Sequence, residues 1–403
     1  MNPLLAALQP YPFERLRQLF AGVTPPTSLA HISLGIGEPK HATPEFIKKA
    51  LAASLDTALS GYPGTAGEPA MRQACAAWLA KRYQVQVDPA TQILPVNGSR
   101  EALFSLAQTV LDPTKPGGLV VTPNPFYQIY EGAAILGGAQ PYFVGSQAAQ
   151  DFAVDWDSVP SEIWAKTQLL FVCSPGNPTG KVVSLVEWKK LFDLSEKYGF
   201  VIASDECYSE IYFRDEPPLG SLQAATALGR TDFKRLIAFT SLSKRSNVPG
   251  LRSGFVAGDA ALIKPFLLYR TYHGCAMSGV VQAASIAAWG DEDHVLENRN
   301  LYRTKFAQVT PVLAAVMDVC LPDASFYLWA GIPGAWHMSD TEFARELYAS
   351  QNVTVLPGSY IGRMGNGVNP GQGRVRMALV AQTAECLEAA HRIANFIRAG
   401  RPA

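Results

Sequence analysis

Short apolar runs of strand length alternate with helical patterns through the middle of this chain, and this alternation limits the fold more than any other feature. One helical pattern covers Leu185 to Tyr198, between two of the runs. Strands that alternate with helices favour a mostly parallel sheet covered by helices on both faces. We therefore predict an α/β fold from the runs Gly118 to Thr122, Gln168 to Cys173, Phe200 to Ser204, Leu236 to Thr240 and Gly254 to Ala257.

The pattern changes near Asp291, where longer helical segments begin. Asp293 is placed to cap a long helix, and Thr383 is placed to cap a last helix that reaches Ile397. A chain of 403 residues is long enough for one large and one smaller domain. We predict a large domain at residues 42–290 and a smaller α+β domain made of residues 1–41 and 291–403.

The composition disfavours several classes of partner. The chain has 34 basic and 34 acidic side chains, so no nucleic-acid or membrane partner is expected. Its six cysteines include no C-x-x-C pair and its six histidines no H-E-x-x-H motif, which predicts reduced thiols and no bound metal. The N-terminal residues lack the basic-then-apolar order of a signal peptide, so a cytoplasmic location is expected.

Open α/β sheets bind ligands beyond the carboxyl ends of their strands, so the residues after each run are the candidates for chemistry. Lys244 follows one run, after the hydroxyls of Ser241 and Ser243, and Arg252 comes eight residues later. A lysine at a strand end is more often a solvated or ion-paired side chain. Here, however, the neighbouring hydroxyls and arginine could hold a phosphate dianion beside an amine that attacks an aldehyde.

Two further runs also end in polar residues. Asp205 is either a helix cap or the partner of a protonated pyridine nitrogen, which would make the ring an electron sink. Tyr208 lies about one helical turn later, where its hydroxyl could reach the 3-hydroxyl of that ring. Asn177 stands in a Pro-Gly-Asn-Pro turn. Turn chemistry explains much of this segment, whereas the amide could also donate to the 3-hydroxyl and to a substrate carboxylate.

A turn near Gly98 joins a run to a helix and is a candidate phosphate site. It contains Ser99, which is placed to cap the helix, and Arg100. Free amide donors and the helix dipole let such a helix start bind an anion. Tyr127 is either an ordinary core aromatic residue or a ring stacked on a cofactor.

Together these segments resemble the class I and II aminotransferases, which are pyridoxal-phosphate enzymes of fold type I. The most specific matches are Ser-Leu-Ser-Lys at 241–244, Asp-Glu-Cys-Tyr at 205–208 and Asn-Pro-Thr-Gly at 177–180. The resemblance covers nearly the whole chain. It implies a seven-stranded, mostly parallel sheet in the large domain, pyridoxal 5'-phosphate as cofactor, and a homodimer with shared active sites.

The resemblance also implies a role for each candidate residue. Lys244 would form the Schiff base and move the proton, with Asp205 as the pyridinium partner and Tyr208 as the third catalytic residue. Tyr208 and Asn177 would contact the 3-hydroxyl, and Tyr127 would stack on the ring. The remaining cofactor-binding residues would be Gly98, Ser99, Arg100, Ser241, Ser243 and Arg252, with Tyr62 supplied by the neighbouring subunit. Arg100 departs from the family pattern, in which small polar or apolar residues are commoner.

Substrate contacts follow from the same resemblance. Arg376 matches the family arginine whose planar fork binds the α-carboxylate, although Arg374 is near enough to compete for this role. Gly37 matches the N-terminal segment whose backbone closes over the substrate, and Asn177 would contact the substrate as well.

A finer resemblance links residues 2–13 and 32–41 to the succinyldiaminopimelate aminotransferases of bacterial lysine synthesis. It implies exchange of an amino group between glutamate or 2-oxoglutarate and N-succinyl-2-amino-6-oxopimelate. The alternatives are a related aminotransferase for acetylornithine, aspartate or aromatic substrates, a C–S lyase, and a non-catalytic sensor, which the balanced charge disfavours. The distal anionic groups need a further cation, and each candidate could also be a solvated surface charge: Lys40, His41, Arg100 and Arg363.

Overall fold

The computed structural model describes residues 1–146, 148–365 and 367–400. The strands are β1 (Ile32–Ser33), β2 (Ile93–Val96), β3 (Leu119–Asn124), β4 (Gln140–Gly145), β5 (Thr167–Cys173), β6 (Val201–Asp205), β7 (Leu236–Ser241), β8 (Gly254–Gly258), β9 (Tyr327–Gly331), β10 (Val353–Thr354), β11 (Leu356–Pro357) and β12 (Arg374–Ala378). The helices are α1 (Pro12–Leu19), α2 (Glu45–Ala53), α3 (Leu55–Ala58), α4 (Pro69–Tyr83), α5 (Ser99–Val110), α6 (Ile129–Leu136), α7 (Ser161–Lys166), α8 (Leu185–Tyr198), α9 (Ser221–Ala227), α10 (Leu242–Arg245), α11 (Ala260–His273), α12 (Gly279–Gly290), α13 (Asp293–Ala314), α14 (Asp340–Gln351) and α15 (Thr383–Arg398).

Strands β2 to β8 form one seven-stranded sheet in the order β2-β8-β7-β6-β5-β3-β4. The pairs among β3 to β7 are parallel, whereas β8 runs antiparallel to both β2 and β7. This confirms the mostly parallel, seven-stranded sheet. The predicted apolar runs correspond to β3, β5, β6, β7 and β8, and the helical pattern between two of them corresponds to α8.

Both faces of this sheet are covered. Successive residues of a strand point to opposite faces, and in β5 Leu170 and Val172 pack into one apolar cluster while Leu169 and Phe171 pack into another. Burial on both faces explains why the strands are continuous apolar runs. No helix among the described residues is long and apolar enough to cross a membrane.

The C-terminal elements form a second body of structure together with the N-terminal segment. Strands β11, β12 and β9 make an antiparallel sheet, and β1 pairs in parallel with β10 through Ile32 and Val353. Ile32 shares an apolar cluster with Phe306 of α13 and Leu347 of α14. The division at residues 42–290 stays a prediction.

Two predicted helix caps are wrong by one position. Glu292, not Asp293, is the N-cap of α13, and Gln382, not Thr383, is the N-cap of α15. At α13 the free amide of His294 is bonded instead by Oδ1 of Asp291 at 3.1 Å. An acidic side chain just before a helix can satisfy its first amides from more than one position.

Candidate active site

Three adjacent strands bring candidate residues to one edge of the large sheet. Cys173 of β5 pairs with Asp205 of β6, and Asp205 pairs in turn with Phe239 of β7. Asn177 follows β5, and Lys244 lies on α10 directly after β7. Because parallel strands end at the same edge, these side chains meet in one crevice.

A cavity of about 520 Å³ opens at this edge. Its walls combine the strand ends with the N-terminal segment, which contributes Tyr11. The predicted site residues that line the cavity are Gly37, Ser99, Arg100, Tyr127, Asn177, Asp205, Tyr208, Ser243, Lys244, Arg252 and Arg376. The fold therefore brings together residues that are far apart in the sequence.

The amine of Lys244 is prepared for chemistry by its surroundings. Burial lowers the pKa of Lys244, and the charges of Arg252 and Arg100 lower it further, while Asp205 raises it. The Nζ atom lies 5.8 Å from the centre of the Tyr208 ring. A lowered pKa increases the fraction of neutral amine at neutral pH, which is the form that can attack an aldehyde or accept a proton.

Asp205 is buried and held by two donors. The hydroxyl of Tyr130 donates to Oδ2 at 2.8 Å, and the amide of Cys207 donates to Oδ1 at 3.3 Å. Buried polar atoms require hydrogen-bond partners of this kind. Asp205 is 4% exposed and has no ion-pair partner in the described part of the chain, so its charge is available to balance a cationic ligand.

The start of α5 forms a cradle with Arg252. Gly98 is the N-cap, with φ 87° and ψ 155°, a backbone region that is nearly restricted to glycine. A Cβ at Gly98 would lie 2.2 Å from Nη2 of Arg252. Ser99 is therefore the first helical residue and not the predicted cap, and its Oγ accepts a hydrogen bond from Sγ of Cys207 at 3.0 Å. A helix start beside a guanidinium is suited to a phosphate.

Ser241 has a structural role that the sequence did not indicate. It is the N-cap of α10, and its Oγ accepts from the amide of Ser243 at 3.1 Å. The cap stabilises the short helix that carries Lys244. Binding of a phosphate by Ser241 stays a prediction, and the hydroxyl of Ser243 lies 2.9 Å away.

Arg376 faces the cavity, whereas Arg374 does not. Arg376 donates to Oδ1 of Asn177 at 3.0 Å and to the carbonyl of Gly35 at 2.9 Å, and its guanidinium lies 4.3 Å from the centre of the Tyr327 ring. Arg374 instead pairs with Asp318 at 2.5 Å. Of the two candidates for the carboxylate, the geometry favours Arg376.

The geometry agrees with what a family comparison finds. The model of the family described as aminotransferase class I and II matches residues 30–393. The chain belongs to this family. It is therefore a pyridoxal-phosphate-dependent aminotransferase that acts on amino acids and keto acids.

This aminotransferase is 33% identical over 368 residues to the LL-diaminopimelate aminotransferase of Aquifex aeolicus, with 91% of each chain covered. A solved aminotransferase from Neisseria meningitidis is 56% identical with a TM-score of 0.95, and the match covers 99% of this chain and 100% of that one. A solved probable N-succinyldiaminopimelate aminotransferase from Thermus thermophilus is 25% identical with a TM-score of 0.83, covering 97% and 99% of the two chains.

The cavity of the aminotransferase fits pyridoxal phosphate. Arg252 and the start of α5 supply donors for a phosphate dianion, and the absence of a Cβ at Gly98 lets the guanidinium approach the helix start. The buried carboxylate of Asp205 would be balanced by a protonated ring nitrogen, since an uncompensated buried charge is costly. Lys244 lies in the same cavity with a lowered pKa. The donor set therefore suits an anionic aldehyde with a basic ring.

Several candidates lie away from the cavity of this chain. Lys40 pairs with Glu385 at 3.9 Å, and Arg363 donates to both carboxylate oxygens of Glu131, at 2.8 and 2.7 Å. His41 is buried in a separate cluster. Of the four residues considered for distal groups, only Arg100 lines the cavity. Tyr62 is fully exposed and does not line it, and its service to a partner subunit stays a prediction.

Sequence reasoning missed three tyrosines of the site. Tyr130 binds Asp205, Tyr11 lies 3.5 Å from a guanidinium nitrogen of Arg100, and Tyr327 lies 3.1 Å from the hydroxyl of Tyr208. Only Tyr130 had a usable signal, because it lies one helical turn after Tyr127. The other two come from distant segments that folding brings to the cavity.

Proposed function

We propose that this aminotransferase moves an amino group between glutamate or 2-oxoglutarate and N-succinyl-2-amino-6-oxopimelate in diaminopimelate synthesis. The observation that carries the proposal is Arg100. Its Nε donates to the hydroxyl of Tyr127 at 2.6 Å, and no ion-pair partner of its guanidinium is found among the described residues. Arg100 is therefore a cation free to bind a second anionic group of a substrate.

The charges of the cavity support a dicarboxylic substrate. Arg252 lies at the cradle for the phosphate, and Arg376 lies beside Asn177, where an α-carboxylate would bind. Arg100 is left for a distal carboxylate, which glutamate and the succinylated substrate both carry. A guanidinium held by two tyrosines presents its remaining donors in a fixed direction.

In the mechanism that we propose, each residue has one task. Bound pyridoxal phosphate supplies an electron sink for the pair of electrons left at the α-carbon. Lys244 Nζ accepts the α-proton, and Asp205 keeps a proton on the ring nitrogen. Arg376 and Asn177 hold the α-carboxylate so that the bond to be broken stays aligned. The N-terminal segment at Gly37 limits the access of water.

A second candidate substrate is unsuccinylated LL-diaminopimelate. The name of the Aquifex relative favours it, whereas the name of the Thermus structure favours the succinylated compound. Absorbance of the bound cofactor, followed during single half-reactions with each compound and with glutamate, separates them. A response to LL-diaminopimelate but not to its succinyl derivative would replace the proposed substrate.

The role of Lys244 is tested by Lys244→Ala. We expect turnover to fall by at least about 10³-fold because the group that moves the proton is lost, and the visible absorbance of the lysine-bound cofactor to disappear. Lys264→Ala, at an exposed position of α11, is the matched control and should keep both. Ordinary activity in Lys244→Ala would overturn the mechanism.

The role of Arg100 is tested by Arg100→Gln. Loss of a charge-assisted hydrogen bond predicts a KM for glutamate and for the succinylated substrate that is about tenfold higher or more. The KM for alanine, which has no distal carboxylate, should change much less. Lys40→Gln removes a cation that does not line the cavity and serves as control. Equal effects on glutamate and alanine would remove Arg100 from substrate recognition.

A further inference from the structure

A buried polar cluster lies next to the backbone of Lys244. Asn298 and Lys305 come from α13, and His41 follows the segment at Gly37 that lines the cavity. The three side chains are 3%, 0% and 9% exposed, respectively. We call Asn298, His41 and Lys305 the α13 cluster.

The hydrogen bonds of the α13 cluster run in one consistent direction. Nδ2 of Asn298 donates to the carbonyl oxygen of Lys244 at 3.1 Å, which leaves Oδ1 of Asn298 as an acceptor. That oxygen accepts from Nδ2 of Asn247 at 2.9 Å and lies 2.8 Å from Nδ1 of His41. Nδ1 therefore carries the hydrogen, and Nε2 of His41 accepts from Nζ of Lys305 at 3.0 Å.

The charges agree with this direction. Burial lowers the pKa of His41, and the neighbouring charge of Lys305 lowers it further, although the bond to Asn298 raises it. A neutral imidazole with one acceptor nitrogen is the form that the chain of bonds requires. Burial lowers the pKa of Lys305 itself to about 8.

The carbonyl of Lys244 needs this partner because α10 is short. The helix ends at Arg245, so the carbonyls of its last residues have no helical amide to bind. Asn298 satisfies the carbonyl of Lys244 from another helix. The bond fixes the peptide plane from which the Lys244 side chain extends.

We propose that Asn298 is a positioning residue for Lys244, with its amide oriented by the His41–Lys305 pair. The inference rests on the proposed role of Lys244. Through His41, the same bonds connect the backbone of Lys244 to the N-terminal segment that lines the cavity. A shift of that segment would therefore change the position of the Lys244 amine.

The experiment compares two variants of Asn298 in the holoenzyme. Asn298→Asp keeps the size and the acceptor for His41 but places a carboxylate oxygen against the carbonyl of Lys244. Asn298→Ala removes all three hydrogen bonds of the side chain. We expect kcat to fall about tenfold or more, since small displacements of a reacting group are costly, while KM changes less than about threefold. The pH midpoint of the visible absorbance of the bound cofactor should shift by about half a unit or more.

Asn352→Ala is the matched control. Asn352 is also a buried asparagine, but it caps α14 with φ 52° and does not contact Lys244. It should lower the melting temperature without moving kcat or the absorbance midpoint. If Asn298→Ala fails to fold, Asn298→Asp decides the question.

Two failures can be told apart. If both Asn298 variants melt earlier but keep kcat and the absorbance midpoint of the wild type, Asn298 only stabilises the fold and the inference is wrong. If Lys244→Ala keeps the visible absorbance, the proposed function fails instead.

Discussion

At the scale of single residues, the cavity is organised by the balance of a few charges. Asp205 is buried with hydrogen-bond donors and forms no ion pair with any described residue, and Lys244 is held near the positive charges of Arg252 and Arg100. Each would be unfavourable in an ordinary protein interior. Both become reasonable when a ligand brings a basic ring, an aldehyde and a phosphate, which is what the family uses.

The cradle at Gly98 gives a prediction at this scale. Gly98→Ala places a Cβ against the guanidinium of Arg252 in a backbone region that costs a non-glycine residue about 1–3 kcal/mol. We expect the Kd for pyridoxal phosphate to rise about tenfold or more, as measured by absorbance titration.

Gly117→Ala is the matched control for that substitution. Gly117 also has a positive φ, 72°, but a Cβ there would meet nothing within 4 Å. Gly117→Ala should lower the free energy of unfolding without weakening the binding of the cofactor. Equal loss of affinity in the two variants would mean that backbone strain, and not the approach of Arg252, explains the result.

At the scale of elements, α13 connects the two bodies of structure. Its Phe306 packs into the apolar cluster of the smaller body, while its Asn298 reaches the backbone of Lys244 on α10. A long helix can carry one side chain to a core and another to a reactive residue because its faces repeat every 3.6 residues. The buried Lys305 on the same helix has a measurable consequence for stability.

Lys305 makes stability depend on pH. Burial lowers its pKa from the ordinary 10.5 to about 8, so the unfolded chain binds more protons between these values and the contribution of Lys305 to the free energy of unfolding rises with pH across that window. Lys305→Met removes this titration. We expect the wild type to gain stability relative to Lys305→Met between about pH 7 and about pH 9.5 in urea unfolding.

The exposed Lys264→Met variant is the control for the pH series, and it should follow the wild type at both pH values. A constant difference between Lys305→Met and the wild type would show that the ammonium of Lys305 titrates alike in the folded and unfolded chains.

At the scale of the whole molecule, several exposed apolar side chains are candidates for an interface with a second copy of the chain. Tyr62 is fully exposed, and Leu59 and, on α11, Leu268 and Tyr272 are each more than half exposed. Exposed large apolar side chains are typical of surfaces that bind another protein. They support the proposal that a second copy of the chain covers some of these side chains and receives Tyr62 at its phosphate site.

Mixed dimers test that proposal. Tyr62→Phe should weaken cofactor binding about tenfold, through loss of a hydrogen bond to a charged group, and Lys244→Ala should be inactive. When the two variants are unfolded and refolded together, a mixed dimer contains one site with both Lys244 and an intact Tyr62. Activity at low cofactor concentration should therefore exceed that of either variant alone, and no gain would place Tyr62 outside the partner's site.

The sequence by itself determined the sheet and the residues at its strand ends. Lys244, Asp205 and Asn177 follow continuous apolar runs. Because a strand that is buried on both faces must be such a run, the sequence predicts the ends of β5, β6 and β7. The sequence also predicts that α5 begins after such a run, although Gly98 and not Ser99 caps it.

Only the tertiary structure decided which side chains from distant segments share the cavity. Tyr11 comes from the N-terminal segment and Tyr327 from β9, and both line the cavity. By contrast, His41 contacts Asn298 and Arg363 binds Glu131. Local sequence fixes the conformation of each segment, but the burial of a polar side chain depends on the partners that satisfy it. In these contacts the partners lie 89 to 257 residues apart in the sequence, and packing alone brings them within hydrogen-bond distance.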